Sequence, residues 1–467
     1  MKKLLLVFTL CLLNQTLKAQ DEFITIWQST EEYPSIKIPT HNNVVYNYNV
    51  NWGDGSESNN VTGDISHQYA ATGNYTVTIT GIFPGMHFGK IYSLYGSYNA
   101  TGIISIEQWG NNLWQKLESA FYGQTSLVIN ANDIPDLRAC SSLGQMFRGC
   151  KSINNGSHNR WNEWNTSSIR KMFGLFQDSN FNQNINDWNV NNVTSMRSMF
   201  KNSNFNQELN NWDVSNVKQM GYMFSNTTSF NKNINSWNVS NVTDMPNMFS
   251  YSVFNQNINN WDVSNVSGMS NLFFKANSFN QPLNNWNVSK VKNMSKMFKD
   301  ATAFNQDISA WNLESIEDCL EMFNGVTLSN ANYEALLIGW NNQDLNQNIV
   351  FDGGNSNYFS NDAETARQNM IDNDNWTITD GGKSAPLKID TIDVTTIKIY
   401  KSDNSTIQIN KVSNGTLNIY SITGKHIIKN IKINSNSETI QIPKIATGLY
   451  LIKINFEDKE FVKKILF

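Results

Sequence analysis

"FNQNINDWNVNNVTSMRSMF" occupies residues 181–200 and returns, slightly altered, as "FNQELNNWDVSNVKQMGYMF" at 205–224. Four more near-copies follow, at 230–249, 254–273, 279–298 and 304–323. Numbered from its Trp, each copy keeps one template. The tryptophans are Trp164, Trp188, Trp212, Trp237, Trp261, Trp286 and Trp311. Position +2 is Val or Leu, with Thr166 in the first unit, and +5 is Ile or Val. Position +8 is Met, or Cys319 in the last unit, and +11 and +12 read Met-Phe or Leu-Phe. A period of 24–25 residues is the signature of a stacked repeat array. The template extends upstream. "PDLRACSSLGQMF" puts Leu137, Cys140, Leu143, Met146 and Phe147 in the same slots. "WGNNLWQKLESAF" puts Trp109, Trp114, Leu117, Ala120 and Phe121 there, with Asn111 off pattern. That makes about nine units.

The apolar spacing from +2 to +11 is three, three, three, which is neither a strand's period of 2 nor an α-helix's 3.6. It suggests a short helical turn, partly 3₁₀, between brief strands. Ile185 to Val190 reads as such a strand, with Trp188 and Val190 pointing the same way. Neither element can bury its apolar side alone, so stacking must merge the units into one core. Trp188, Trp212, Trp237, Trp261, Trp286 and Trp311 are assigned to that core. A cofactor or sugar channel is the less fitting reading of this stripe, because a site would break the period at one place.

If Trp and Val point inward, position +1 points outward. It is always Asn or Asp: Asn165, Asn189, Asp213, Asn238, Asp262, Asn287 and Asn312. Six of these, from Asn189 to Asn312, are the candidate ligand-binding face. Amides and carboxylates at regular spacing can hydrogen-bond a glycan or an extended peptide. The competing reading is that they cap turns or ladder with one another. The Asn after each Phe (Asn182, Asn206, Asn231, Asn255, Asn280, Asn305) reads as structural.

The chain has 467 residues, 16% charged and 12% aromatic, too aromatic and too weakly charged for disorder. Its first residues, "MKKLLLVFTLCLLNQTLKA", have the form of a signal peptide cleaved near Ala19. The apolar run is too short to span a bilayer, and no later run is long enough. The formal net charge of −4 moves to −7 once Lys2, Lys3 and Lys18 are removed. From Lys388 onward twelve Lys face seven acids, so the body between the ends is strongly acidic. That argues against a nucleic-acid partner. The exported chain keeps Cys140, Cys150 and Cys319, too few for a disulfide framework. Cys140 and Cys319 occupy core slots, and a bridge between Cys140 and Cys150 stays open. Five scattered His show no metal-ligand spacing. No metal, cofactor or catalytic residue is assigned.

The entry "IISIEQWGNNLWQKLESAFYG", the "WDVSNVTxMxxMF" units and the tail "LSNANYEALLIGW…FDGGNSNY" resemble the BspA-like leucine-rich-repeat surface proteins over roughly residues 100–382. The resemblance implies a leucine-rich-repeat-like solenoid with strands along one face, closed by a C-terminal cap, in a bacterial surface protein that attaches to partners. "WGDGS" (Trp52 to Ser56), His67, Tyr69, Gly73, Tyr75 and Val77 resemble a PKD-like immunoglobulin-type sandwich. His67 near Asp54 could be read as a catalytic pair, but turn and core-edge roles fit better. Asn418, Tyr420, Gly424, Lys425, Gly448, Tyr450, Lys453, Lys463 and Lys464 stand in alternating strands. They resemble a type A sorting domain of the type IX secretion system, which implies a Gram-negative exported protein.

The expected fold is mixed and β-rich. A leucine-rich-repeat-like solenoid, each unit a short strand plus a short helical turn, is flanked by two small all-β sandwich domains. The expected boundaries are 1–19 signal peptide, 20–98 PKD-like sandwich, 99–325 repeats, 326–382 cap, 383–396 linker and 397–467 sorting domain. The expected function is non-enzymatic: adhesin-like binding of an extracellular protein or glycan, with residues 397–467 engaging the type IX machinery. A passive matrix protein is the alternative. An extracellular polysaccharide-acting enzyme is the least favoured, since no unit breaks the period to place a carboxylate pair.

Overall fold

The computed structural model describes residues 22–89, 102–384, 398–403, 406–410, 414–435, 437–443, 446–456 and 459–467. The expected signal peptide and most of the expected linker lie outside the described residues. The chain divides into two compact units, Met1–Ser384 and Ala385–Phe467. It is β-rich with few helices, and its strands form several small sheets.

The first unit opens with β1 (Phe23–Ser29), β2 (Ser35–Ile38), β3 (Asn47–Asn51), β4 (Glu57–Val61), β5 (Ile65–Gln68) and β6 (Gly73–Ile82). In β1, Phe23, Thr25, Trp27 and Ser29 are buried in alternation, the two-residue period of a strand with one face on a core. Two further strands, β7 (Ile103–Gln108) and β8 (Val128–Ile129), continue the same sheet in the order β4-β3-β6-β1-β7-β8. β7 pairs antiparallel with β1, and β8 pairs parallel with β7. The expected boundary at 98/99 therefore falls between strands of one sheet, and a single buried cluster runs from Phe23 to Trp376.

Within the repeats the spacing of three has a physical cause other than a helix. Among the tight turns of a unit that are closed by i→i+3 backbone bonds, three end on the Trp, +5 and +11 side chains. In the second unit these are Trp188 N to Ile185 O, Val193 N to Val190 O and Met199 N to Met196 O. Both ends of each turn point inward, so buried side chains recur every third residue. The expected strand from Ile185 to Val190 is not formed. Trp188 to Val190 lie between two turns and pair with no strand among the described residues. Units meet instead at position +7, through parallel single-residue bridges from Lys171 to Ser195, Gln219, Asp244, Gly268, Asn293 and Asp318. From there the backbone N–H groups at +8, +10, +12 and +14 donate to the next unit. Met196 N bonds Gln219 O, Ser198 N bonds Gly221 O, Phe200 N bonds Met223 O and Asn202 N bonds Ser225 O.

This ladder needs a reversed backbone twice per unit. Positions +10 and +14 are left-handed throughout: Ser198 (φ 57°), Asn202 (57°), Tyr222 (61°), Asn226 (56°), Asn247 (56°), Tyr251 (56°), Asn271 (56°) and Lys275 (55°). Asn tolerates that region best among non-Gly residues, and it fills four of these positions, Asn202, Asn226, Asn247 and Asn271. Trp rings stack in a column, as Trp212 on Trp237 at 6.3 Å and Trp237 on Trp261 at 6.4 Å, tilted by 5° and 3°. From Trp188 to Trp311 each indole N–H donates to a carbonyl of the preceding unit, as Trp212 to Ile185 O at 2.9 Å and Trp237 to Leu209 O at 3.0 Å. The buried polar edge of the ring is thus satisfied. Two Phe columns run beside it.

After the last repeat come α1 (Asn330–Asn341), β9 (Val350–Asp352), α2 (Asn361–Asp372) and β10 (Thr377–Thr379). Ser329 and Ser360 cap the two helices by accepting the N–H of Asn332 and Ala363. Trp340 of α1 continues the indole pattern, donating to Ile308 O. Arg367 and Tyr333 both bind the buried carboxylate of Asp380, at 2.8 and 2.6 Å.

The second unit holds β11 (Lys398–Asp403), β12 (Thr406–Asn410), β13 (Gly415–Ser421), β14 (His426–Ile433), β15 (Ser437–Gln441), β16 (Leu449–Phe456) and β17 (Lys459–Leu466). They form two antiparallel sheets, β11-β12-β15 and β14-β13-β16-β17. Ile407, Ile409, Leu417, Ile419, Ile452 and Ile454 are fully buried in its core. No helix among the described residues is long and apolar enough to cross a membrane.

Candidate functional site

All six candidate residues, Asn189, Asp213, Asn238, Asp262, Asn287 and Asn312, are exposed on successive units, each beside a buried Trp. They lie outward because the turn places them there, not because a strand does. One side-chain oxygen of each is engaged. Oδ1 accepts the N–H two residues on: Asn191, Ser215, Ser240, Ser264, Ser289 and Glu314, at 2.9–3.2 Å. This is an Asx turn, the structural role weighed above. Hydrogen bonds from Ser215 hold the Asp213 carboxyl below its ordinary value. The second atom of each group has no protein partner among the described residues. Nδ2 of Asn189, Asn238, Asn287 and Asn312 and Oδ2 of Asp213 and Asp262 therefore face solvent in one row. At its C-terminal end, Asn312 lines an open cleft of about 450 Å³ with Ser309, Glu314, Gly339 and Asp344.

Other Asn rows are consumed internally. Asn182, Asn206, Asn231, Asn255 and Asn280 each accept, at Oδ1, the N–H of the corresponding Asn one unit on. Gln207, Gln256, Gln281 and Gln306 donate to the same oxygens. Asn192, Asn216, Asn241 and Asn265 donate across units to backbone carbonyls. The repeat thus closes its exposed backbone with amide ladders.

Asp54, Ser56 and His67 do come together. His67 Nε2 lies 2.8 Å from Asp54 Oδ2, and Ser56 Oγ donates to Asp54 Oδ1 at 2.6 Å. A nucleophilic triad needs the base to touch nucleophile and carboxylate through different ring nitrogens. Here the same Nε2 faces both, at 3.5 Å from Ser56 Oγ. The ring instead stacks on Trp52 at 4.7 Å, and the Ser56 and His67 bonds hold Asp54 down at about 2. These contacts close the Gly53–Gly55 turn. Cys140, Cys150 and Cys319 are all free and buried, so the open Cys140–Cys150 bridge is not formed. Burial pushes all three thiols up, and buried thiols of that kind are inert.

A feature the sequence reading passed over lies on the left-handed turns. Cations there rest on aromatic rings: Arg197 and Lys201 over Tyr222 at 5.2 and 4.8 Å, and Lys275 over Tyr251 and Phe274 at 5.3 and 5.4 Å. Their positions, +9, +10, +13 and +14, vary between units, and the sequence signal was that variability.

Two family models match the chain. "Mycoplasma protein of unknown function, DUF285" matches residues 141–253 and 234–336, most of the repeats and the start of α1. "Secretion system C-terminal sorting domain" matches residues 391–467. The C-terminal β-unit is thus a sorting domain, which indicates export by the type IX machinery and a secreted or cell-surface location. No curated protein and no solved structure matches the chain.

Proposed function

We propose that this exported protein is a non-enzymatic, adhesin-like binding protein. Its repeats form a leucine-rich-repeat-like solenoid of the BspA-like kind, preceded by a PKD-like domain. The solenoid presents the row from Asn189 to Asn312 to an extracellular glycan or protein. The observation that supports this most is the outward second atom on each +1 side chain. Once the turn has taken one oxygen, the row still offers amide donors at Asn189, Asn238, Asn287 and Asn312 and carboxylate acceptors at Asp213 and Asp262. Such a row suits an extended polar ligand, to which it can add hydrogen bonds at a fixed interval.

A second reading, a passive matrix scaffold, draws support from the amide ladders, which direct most exposed Asn side chains into the protein itself.

The test changes outward chemistry without breaking turns. Asp213→Asn, Asp262→Asn and Asn238→Asp all keep Oδ1 as the cap and alter only the solvent-facing atom. The exported chain is screened against glycan and matrix-protein arrays, and any saturable ligand is titrated again with the triple variant. Loss of affinity by tenfold or more in a variant of unchanged melting temperature supports binding through the row. A ligand indifferent to the change, or no ligand at all, moves the function to scaffolding.

A further inference from the structure

The left-handed turns of the middle repeats differ in charge from the acidic body around them. The segments 196–203, 220–227, 245–252 and 269–276 contain Arg197, Lys201 and Lys275 and no Asp or Glu. In the flanking units, cations at equivalent positions are neutralised by carboxylates. Arg148 pairs with Asp178, and Lys296 and Lys299 both pair with Glu321. In the middle, Lys201 and Lys275 have no carboxylate partner among the described residues, and Arg197 has only Asp244 at 3.9 Å. Aromatic side chains are interleaved with these cations: Tyr222, Tyr251 and Phe274, the last two edge to face at 5.1 Å. Tyr251 is 46% exposed, and Val253 beside it 37%. No fold requirement places Tyr or Lys at left-handed positions, where Asn or Gly costs less. Tyr222, Tyr251 and Lys275 stand there all the same.

We propose that this cation–aromatic face, spanning the four units from Trp188 to Trp261, is a second binding surface, and that its ligand is an anionic polysaccharide. Arg197, Lys201 and Lys275 supply charge for carboxylate or sulfate groups. Tyr251 and Phe274 supply rings on which the apolar faces of sugars stack. The cations run across several units, so the ligand is a chain rather than a single sugar. An exported location favours polysaccharide over nucleic acid, the other polyanion that stacks on aromatic rings. This surface is separate from the +1 row and stands or falls independently of it.

The test titrates the whole exported chain with polygalacturonate, dextran sulfate, neutral dextran and oligodeoxythymidylate over a range of salt. Both anionic polysaccharides are expected to bind, more weakly as salt rises, and neutral dextran not to bind. The double variant Lys201→Asn/Lys275→Asn should weaken binding about tenfold or more and flatten its salt dependence. Tyr251→Asn, which suits the left-handed backbone, should weaken binding about three- to fivefold with the salt dependence unchanged. The Asp213→Asn/Asn238→Asp/Asp262→Asn variant should bind as the parent does. The proposal is overturned if neither polysaccharide binds, or if the lysine variant binds them undiminished, which would locate binding in the basic C-terminal unit. It is also overturned if Tyr251→Asn has no effect, leaving charge attraction alone, or if oligodeoxythymidylate is preferred.

Discussion

Single residues in this protein are shaped by backbone geometry as much as by burial. Ser198 holds φ 57° with its N–H bonded to Gly221 O, and its hydroxyl has no partner among the described residues. Replacing it by Gly removes the left-handed penalty and keeps the ladder bond. Ser198→Gly should stabilise the protein by about 0.5–1 kcal/mol, read as a raised denaturation midpoint with unchanged slope. A drop in the midpoint would show that the hydroxyl is bonded after all. His41 shows the cost of burial. Its ring stacks on His87 at 4.3 Å, its Nε2 has no protein partner among the described residues, and burial lowers its pKa to about 4. The depressed value means the unfolded chain binds a proton more readily between pH 6.5 and 4. The neutral ring's contribution is thus complete above pH 6.5 and lost as pH falls toward 4. Allowing for partial exposure, the loss is about 2 kcal/mol. Melting temperatures of the parent and His41→Gln, compared from pH 7 to 4, should diverge at neutral pH and converge in acid. Parallel curves would contradict the assignment.

The working element is the unit, and its Trp carries two separable contributions. The ring packs between neighbouring indoles, and its N–H satisfies a carbonyl of the preceding unit. Trp237→Phe keeps most of the packing and removes one of the two hydrogen bonds to Leu209 O, which still accepts the N–H of Trp212, and should cost about 0.5–1.5 kcal/mol. Trp237→Ala also opens a cavity between Trp212 and Trp261 and should cost about 3–5 kcal/mol. Urea unfolding of both variants separates the terms. Equal losses would mean that the hydrogen bond, not packing, dominates the column.

Over the whole repeat array, each unit bonds chiefly to its immediate neighbours, so contributions should add along the stack. Deleting Trp237 to Asn260, one complete unit, joins Ser236 to Trp261 in the same register. The shortened chain should keep the parent's circular dichroism signature and unfold cooperatively. Deleting half that span puts Trp where the ladder needs a turn, and should give an unfolded or aggregating product. If both deletions fold equally well, the register carries less of the stability than the ladders suggest.

The period, the identity of the buried slots, the β-rich character and the C-terminal sorting domain were all legible in the sequence. Each rests on a local rule: a side chain recurs where the same environment recurs, and alternation marks a strand with one buried face. What the repeats make of their backbone was not legible. A spacing of three fits a helical turn and a chain of inward-pointing turns equally well. Only the bonds between units distinguish them, because partners 24 or 25 residues apart leave no mark on local pattern. The same limit applied to the polar rows. Whether an Asn is outward and unengaged, caps a turn or ladders to its neighbour depends on which N–H lies within 3 Å of its oxygen. That distance is set when the units stack.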